Sequence, residues 1–241
     1  MKAFDLLSSV NPEQPSSWQG KIFLTFDIDW AHDDVLHDTI DLVETADVSA
    51  TWFLTHDTPV KARIRQNPKF ELGIHPNFNF LLDGDARNGQ NAREVIERLM
   101  EVVPEARSVR SHSITQSSVL LERFKDAGLT HESNHLVPHH SGIALAPYEL
   151  WNGVFRVPYH WEDDVHFLHG HMHTMQDVLN RPGLQVFNFH PIHVFLNTEH
   201  QDRYEVTRPI HHDPAALLQY RHTGEGTRSR LLDLLQEGRT P

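Results

Sequence analysis

The chain contains no cysteine, which excludes disulfides, thiolate metal sites and every cysteine nucleophile. Positive charge is scarce: 21 Lys and Arg stand against 33 Asp and Glu, a formal charge of −12. Surfaces for nucleic acid or anionic membrane need basic patches, so neither partner is expected. No run approaches the length of uninterrupted apolar residues that a membrane span requires. Asp5 breaks the apolar stretch near the N-terminus, which argues against a signal peptide and for a cytoplasmic protein. Oligomeric state is not legible. What the chain has in excess is histidine, 20 among 241 residues.

Residues 1–20 read as a lead-in, Pro/Ser-rich over 11–20, and 21–241 as a single domain ending in a frayed tail at 238–241. Short β-rich runs at 21–26, 50–54, 70–74, 108–111, 154–158 and 184–189 read as strands. Helices are expected between them. One is capped by Asp33 or Asp34 and carries Val35, Leu36, Ile40 and Val43. A second carries Ala92, Val95, Ile96, Leu99 and Val103 and stops before Pro104. A third is capped by Ser117 or Ser118 and closed by Gly128, and a last spans about 227–237. Alternating strands and helices predict an α/β fold with parallel strands, in which active residues gather at C-terminal strand ends.

The strand ends carry such residues. Asp27 and Asp29 follow the first strand, His75 follows 70–74, Arg110 and His112 close the next, and His190 ends 184–189. Two carboxylates at i and i+2 repel unless a cation or a proton lies between them. A divalent metal answers that repulsion; one Asp capping a helix and the other solvated is the competing account. Imidazole with carboxylate and an open position suits catalytic zinc. Arg110 and His112 are two residues apart, so on a strand both enter the same pocket.

Thr25-Phe26-Asp27-Ile28-Asp29, Glu71-Leu72-Gly73-Ile74-His75, Arg110 and Phe187-Asn188-Phe189-His190-Pro191 occur in an order that resembles the polysaccharide deacetylase superfamily, the NodB-homology group or carbohydrate esterase family four. The resemblance covers residues 21 to about 197. It implies a distorted (β/α) barrel of about seven parallel strands and a metal-dependent deacetylase. The substrate would be an N-acetyl or O-acetyl group on a sugar of a surface polysaccharide or its precursor. It also implies a divalent metal, zinc first, with cobalt, nickel or manganese as alternatives. Asp27 would be the general base, Asp29 and His75 metal ligands, Arg110 the partner of Asp27, and His190 the general acid.

The chain departs from the pattern at two places. Asn79 stands where the family usually has its second metal histidine; His112 is the favoured third ligand and Asn79 the fallback. Arg156-Val157-Pro158-Tyr159 comes one strand later than the family's third motif, followed by His160-Trp161-Glu162-Asp163-Asp164. Tyr159 and Trp161 read as stacking on a sugar, with a packing residue at the barrel mouth the equal alternative for Trp161; Asp164 is expected to bind substrate and one of Glu162, Asp163 and Asp164 to pair an arginine. His166, His169, His171 and His173 read as a solvated stretch, His193 as a donor behind the site or a surface residue, and most other histidines as surface. Two alternatives stay open: a metal-dependent hydrolase of a C–N bond in a small amide, and a non-catalytic sugar-binding homologue.

Overall fold

The computed structural model describes residues 2–169 and 173–237; His171 and the 238–241 tail lie outside them. The strands are β1 (Ala3–Phe4), β2 (Lys21–Asp27), β3 (Ala50–Leu54), β4 (Phe70–Ile74), β5 (Ser108–Val109), β6 (His131–Glu132), β7 (Tyr148–Glu149), β8 (Phe155–Arg156), β9 (Trp161–Glu162) and β10 (Gln185–Phe189). They run in the order β7-β8-β6-β5-β4-β3-β2-β10-β9, with β1 added to β2. Every pairing is parallel except β7 with β8.

One stretch of chain curls this sheet into a distorted barrel. Residues 155–162 pair with β6 at their start and with β10 at their end. In between, the Val157 N–H donates to the Glu132 carbonyl and the His160 N–H to the Val186 carbonyl. The walls are therefore β2, β3, β4, β5, β6, the β8–β9 run and β10, the seven expected. The principal helices packed outside are α1 (Asp33–Ala46), α2 (Ala92–Val102), α3 (Ser118–Asp126), α4 (Asp163–Leu168), α5 (Pro191–Leu196) and α6 (Thr227–Gln236). No helix of the described residues is long and apolar enough to cross a membrane.

All six expected strands and all four expected helices form, with ends within two residues of those expected. Ser117 caps α3 through the Leu120 N–H, but α1 is capped by His32 Nδ1, which accepts from the Asp34 N–H. Asp33 and Asp34 lie in its first turn, where carboxylates still suit the positive end of the helix.

Strand alternation sorts the side chains. Ile22, Leu24 and Phe26 of β2 join Trp52, Leu72, Ile74, Phe187 and Phe189 in the layer under the helices. Phe23 points inward with Phe53, Val157, Tyr159 and Val186. Along each strand, every second residue continues inward, so Thr25 and Asp27 rise above Phe23, and Asn188 and His190 above Val186. Beneath this interior, Leu7, Val10 and Trp18 are buried. The Leu7 N–H donates to Thr51 Oγ1 and the Ser8 N–H to Glu71 Oε1. The interior is thus apolar at the bottom and polar toward the C-terminal strand ends.

Gly73 leaves the space that this layering needs. A Cβ there would lie 2.6 Å from the Phe53 ring and 2.8 Å from the Ser108 carbonyl oxygen. Gly73→Ala is expected to destabilise the fold by about 1–3 kcal/mol, lowering the melting temperature by roughly 2–10 °C for a chain of this size, measurable by calorimetry.

Candidate active site

Asp27, Asp29, His75, Arg110, His112, Tyr159, Glu162, Asp164 and His190 line one cavity of about 240 Å³, at the C-terminal ends of β2, β4, β5, β9 and β10. Its centre is a trio from three strand ends. Asp29 Oδ1 lies 3.2 Å from His75 Nε2 and 3.2 Å from His112 Nδ1, and the two nitrogens are 3.3 Å apart. Ligands set tetrahedrally at about 2.0–2.1 Å from an ion are about 3.3 Å from one another. Two imidazole nitrogens and a carboxylate oxygen so spaced fit a divalent cation, with the fourth position toward the cavity.

Asp27 is buried beside the trio, its Oδ1 3.5 Å from His75 Nδ1. Arg110 Nη1 donates to that oxygen at 3.2 Å, and Asn188 Nδ2 donates to the other at 2.8 Å. Arg110, 1% exposed, also donates to Thr25 Oγ1, Asn188 Oδ1 and both the carbonyl and the hydroxyl oxygen of Ser133. Its guanidinium lies 4.8 Å from the Phe53 ring centre and 4.3 Å from that of Tyr159.

His190 Nδ1 is 2.7 Å from Asp163 Oδ1, and its backbone N–H donates to Asp163 Oδ2. Nε2 faces the cavity, 3.7 Å from Asp29 Oδ2 and 3.9 Å from Glu162 Oε1. Burial alone would discharge this imidazole, but the charge and hydrogen bond of Asp163, with Asp29 and Asp164 behind them, hold it well above the usual histidine range. Burial, with Asp164 alongside, pushes Glu162 up to about 8, so it keeps its proton near neutrality.

Several expectations are corrected. Asn79 is not among the cavity residues: its amide donates to Ser113 Oγ and accepts from Thr115 Oγ1. Tyr159 and Trp161 offer no open ring face. Tyr159 is wholly buried under Arg110, its hydroxyl donating to Glu162, and Trp161, 1% exposed, packs on Phe189 with ring centres 4.6 Å apart. Asp164 lines the cavity. Among the described residues, none of Glu162, Asp163 and Asp164 pairs an arginine; Arg156 is bound to Glu132 of the neighbouring strand instead. His131, His139, His160, His166 and His193 are buried rather than on the surface. Burial pushes His160 down to about 3 and His193 to about 4, so both are neutral.

No role for Thr25, Ser133 or Asn188 was read from the sequence, and Asp163 figured there only as one of three acids expected to pair an arginine. Thr25 and Asn188 stand two residues before Asp27 and His190 on the same strands, so the two-residue repeat was the available signal. Nothing local marks Ser133.

The His190–Asp163 pair carries a pH signature in protein without added metal. Asp163 is held below the usual carboxylate range, because His190 outweighs the opposing effect of burial. Its contribution is present above the unfolded value near 3.9, while that of the raised histidine is complete below about 6.5 and fades as pH climbs through its folded value. The stability advantage of wild type over Asp163→Asn should therefore be widest between about pH 4 and 6.5 and shrink in alkali. Denaturant melts across that range check this.

A family model described as WbmS-like polysaccharide deacetylase matches residues 24–208. A Bordetella bronchiseptica protein, described as a polysaccharide deacetylase involved in O-antigen biosynthesis, is 47% identical, with 98% of each chain covered and a TM-score of 0.92. A family 4 carbohydrate esterase from Streptomyces lividans is 12% identical over 90% of this chain and 88% of its own, at TM-score 0.46. A Mycobacterium smegmatis protein described as a polysaccharide deacetylase is 14% identical over 90% of both chains, at 0.47. These two are too distant to bear on the site. No curated protein matches.

Proposed function

The chain belongs to the WbmS-like polysaccharide deacetylase family, and from that premise we propose that it is a metal-dependent hydrolase of an acetyl group on a sugar of O-antigen or its precursor. The observation that carries this reading is the flanking of the Asp29–His75–His112 trio by a buried carboxylate, Asp27, and a charged imidazole, His190. Asp29, His75 and His112 would hold the metal, and their one-oxygen, two-nitrogen set suits zinc. A divalent cation bound there supplies polarisation of a carbonyl and acidification of water.

The chain's own groups perform the proton transfers. Arg110 and Asn188 each hold one oxygen of Asp27, which aims the carboxylate. Asp27 accepts a proton from the attacking water as its oxygen adds to the acetyl carbon. His190, kept charged by Asp163, gives its Nε2 proton to the sugar nitrogen or oxygen as the bond to the acetyl carbon breaks. Acetic acid and the free amine or alcohol leave; the acid's proton and that on Asp27 pass to solvent, and His190 takes one proton back from solvent. Base and acid contributions of this kind are each worth about 10²–10⁴ in rate.

Purified protein supplied with Zn²⁺ or Co²⁺ should release acetate from N- or O-acetylated sugars, and Asp27→Asn should lower kcat by about 10²-fold or more with metal content unchanged. A wide panel of acetyl sugars that yields no acetate, with wild type and Asp27→Asn indistinguishable, overturns the reading. Non-sugar amides tested alongside separate a small-amide hydrolase. In dialysed protein, His112→Ala should lose metal that Asn79→Ala largely retains, as elemental analysis will report.

A further inference from the structure

Two turns at the rim of the cavity hold side chains in backbone conformations that they resist. Asp29 and Trp30 have φ of 38° and 56°, and Ser113 and Ile114 have 55° and 48°. Positive φ is uncommon outside glycine and an outlier for a β-branched residue such as Ile114. Burial does not compensate: Trp30 is 46% exposed and Ile114 40%. Nor are the turns loose. The Trp30 N–H donates to Thr55 Oγ1 at 3.2 Å and the Ile114 N–H to the Ser111 carbonyl at 2.9 Å. The Asn79 amide bonds Ser113 and Thr115 on either side of Ile114. Strain persists where neighbours over-determine it, and it clusters at ligand sites.

The two turns meet at His112. The Trp30 ring stands edge-on to that imidazole, with centres 5.1 Å apart, and Ile114 lines the cavity two residues further on. The floor below is polar, formed by Asp29, His75, Glu162, Asp164 and His190. With Tyr159 and Trp161 buried, Trp30 is, among the described residues, the exposed aromatic ring packed on a site residue, His112. The geometry points to Trp30 and Ile114 as an apolar lip that receives the C–H face of a neutral sugar ring while its acetyl group reaches the polar floor. An indole beside an aliphatic side chain gives broad apolar contact at low entropic cost, and the polar floor orients what lies on it. The inference rests on the deacetylase reading of the same cavity and adds the residues that favour a saccharide over an acyclic acetyl compound.

The test compares neutral N-acetylated oligosaccharides with vinyl acetate, which has no ring to stack. Trp30→Ala should raise KM for the saccharide about tenfold. The ratio of kcat/KM on the saccharide to kcat/KM on vinyl acetate should fall about tenfold, which separates lost ring contact from any disturbance of the metal site, since the latter lowers both alike. Trp30→Phe should restore most of the saccharide affinity. Ile114→Gly should also raise the saccharide KM, yet leave the melting temperature unchanged or higher, because glycine accepts this φ without strain. A saccharide KM unmoved by Trp30→Ala, or an equal loss on both substrates, overturns the lip. Hydrolysis of vinyl acetate but of no saccharide also overturns it and leaves the hydrolase chemistry standing. If wild type hydrolyses neither, the deacetylase reading falls first and the lip with it.

Discussion

A guanidinium buried at the middle of a barrel must find a partner for every donor, and the site is arranged around that requirement. Arg110 reaches across from β5 to groups on β2, on β10 and just past the end of β6, lying between the rings of Phe53 and Tyr159. Removing one partner of such a buried charge costs about 3–5 kcal/mol, so the strand ends are held in register by the same bonds that hold Asp27. The apolar layer beneath keeps water from competing for the guanidinium. Gly73 belongs to the same arrangement, since a side chain there would meet the Phe53 ring on which Arg110 rests.

Above that layer, acidic side chains crowd together and divide their roles by environment. Asp163 faces His190 and stays charged, with the imidazole charged in turn. Glu162, largely desolvated and beside Asp164, keeps its proton instead and receives hydrogen bonds from Tyr159 and Asn188. Asp29 is held well below the usual carboxylate range, because hydrogen bonds from His112 and His75 outweigh burial. Neighbouring groups of one type thus reach opposite protonation states, an arrangement typical of acid–base chemistry. The strained turns carrying Asp29 and His112 add rigidity where ligand geometry matters most.

Much of the barrel was legible in the chain because its longer strands, such as β2, β3, β4 and β10, are apolar and β-branched or aromatic. The strands β6 and β9, His131-Glu132 and Trp161-Glu162, were not, since each holds a glutamate where an apolar run would signal a strand. Their existence depends on edges offered by β5 and β10. The same contrast holds in the site. Asp27, Asp29, His75, His112 and His190 were legible because each sits at or just past the C-terminal end of a strand, where active residues of such folds gather. Ser133 and Asp163 were not, because their roles come from what faces them across the barrel.

The sequence by itself determined the class of chemistry. Without cysteine, any resident metal has to be held by imidazole and carboxylate, and alternation along each strand decides which of these point inward. Only the tertiary structure decided how the similar residues divide. It gathered His75 and His112 with Asp29 and bound the Asn79 amide to Ser113 and Thr115. It buried Tyr159 and Trp161 and left Trp30 at the rim. Burial and partner geometry arise from strands far apart in the chain, and a linear pattern holds no record of distance.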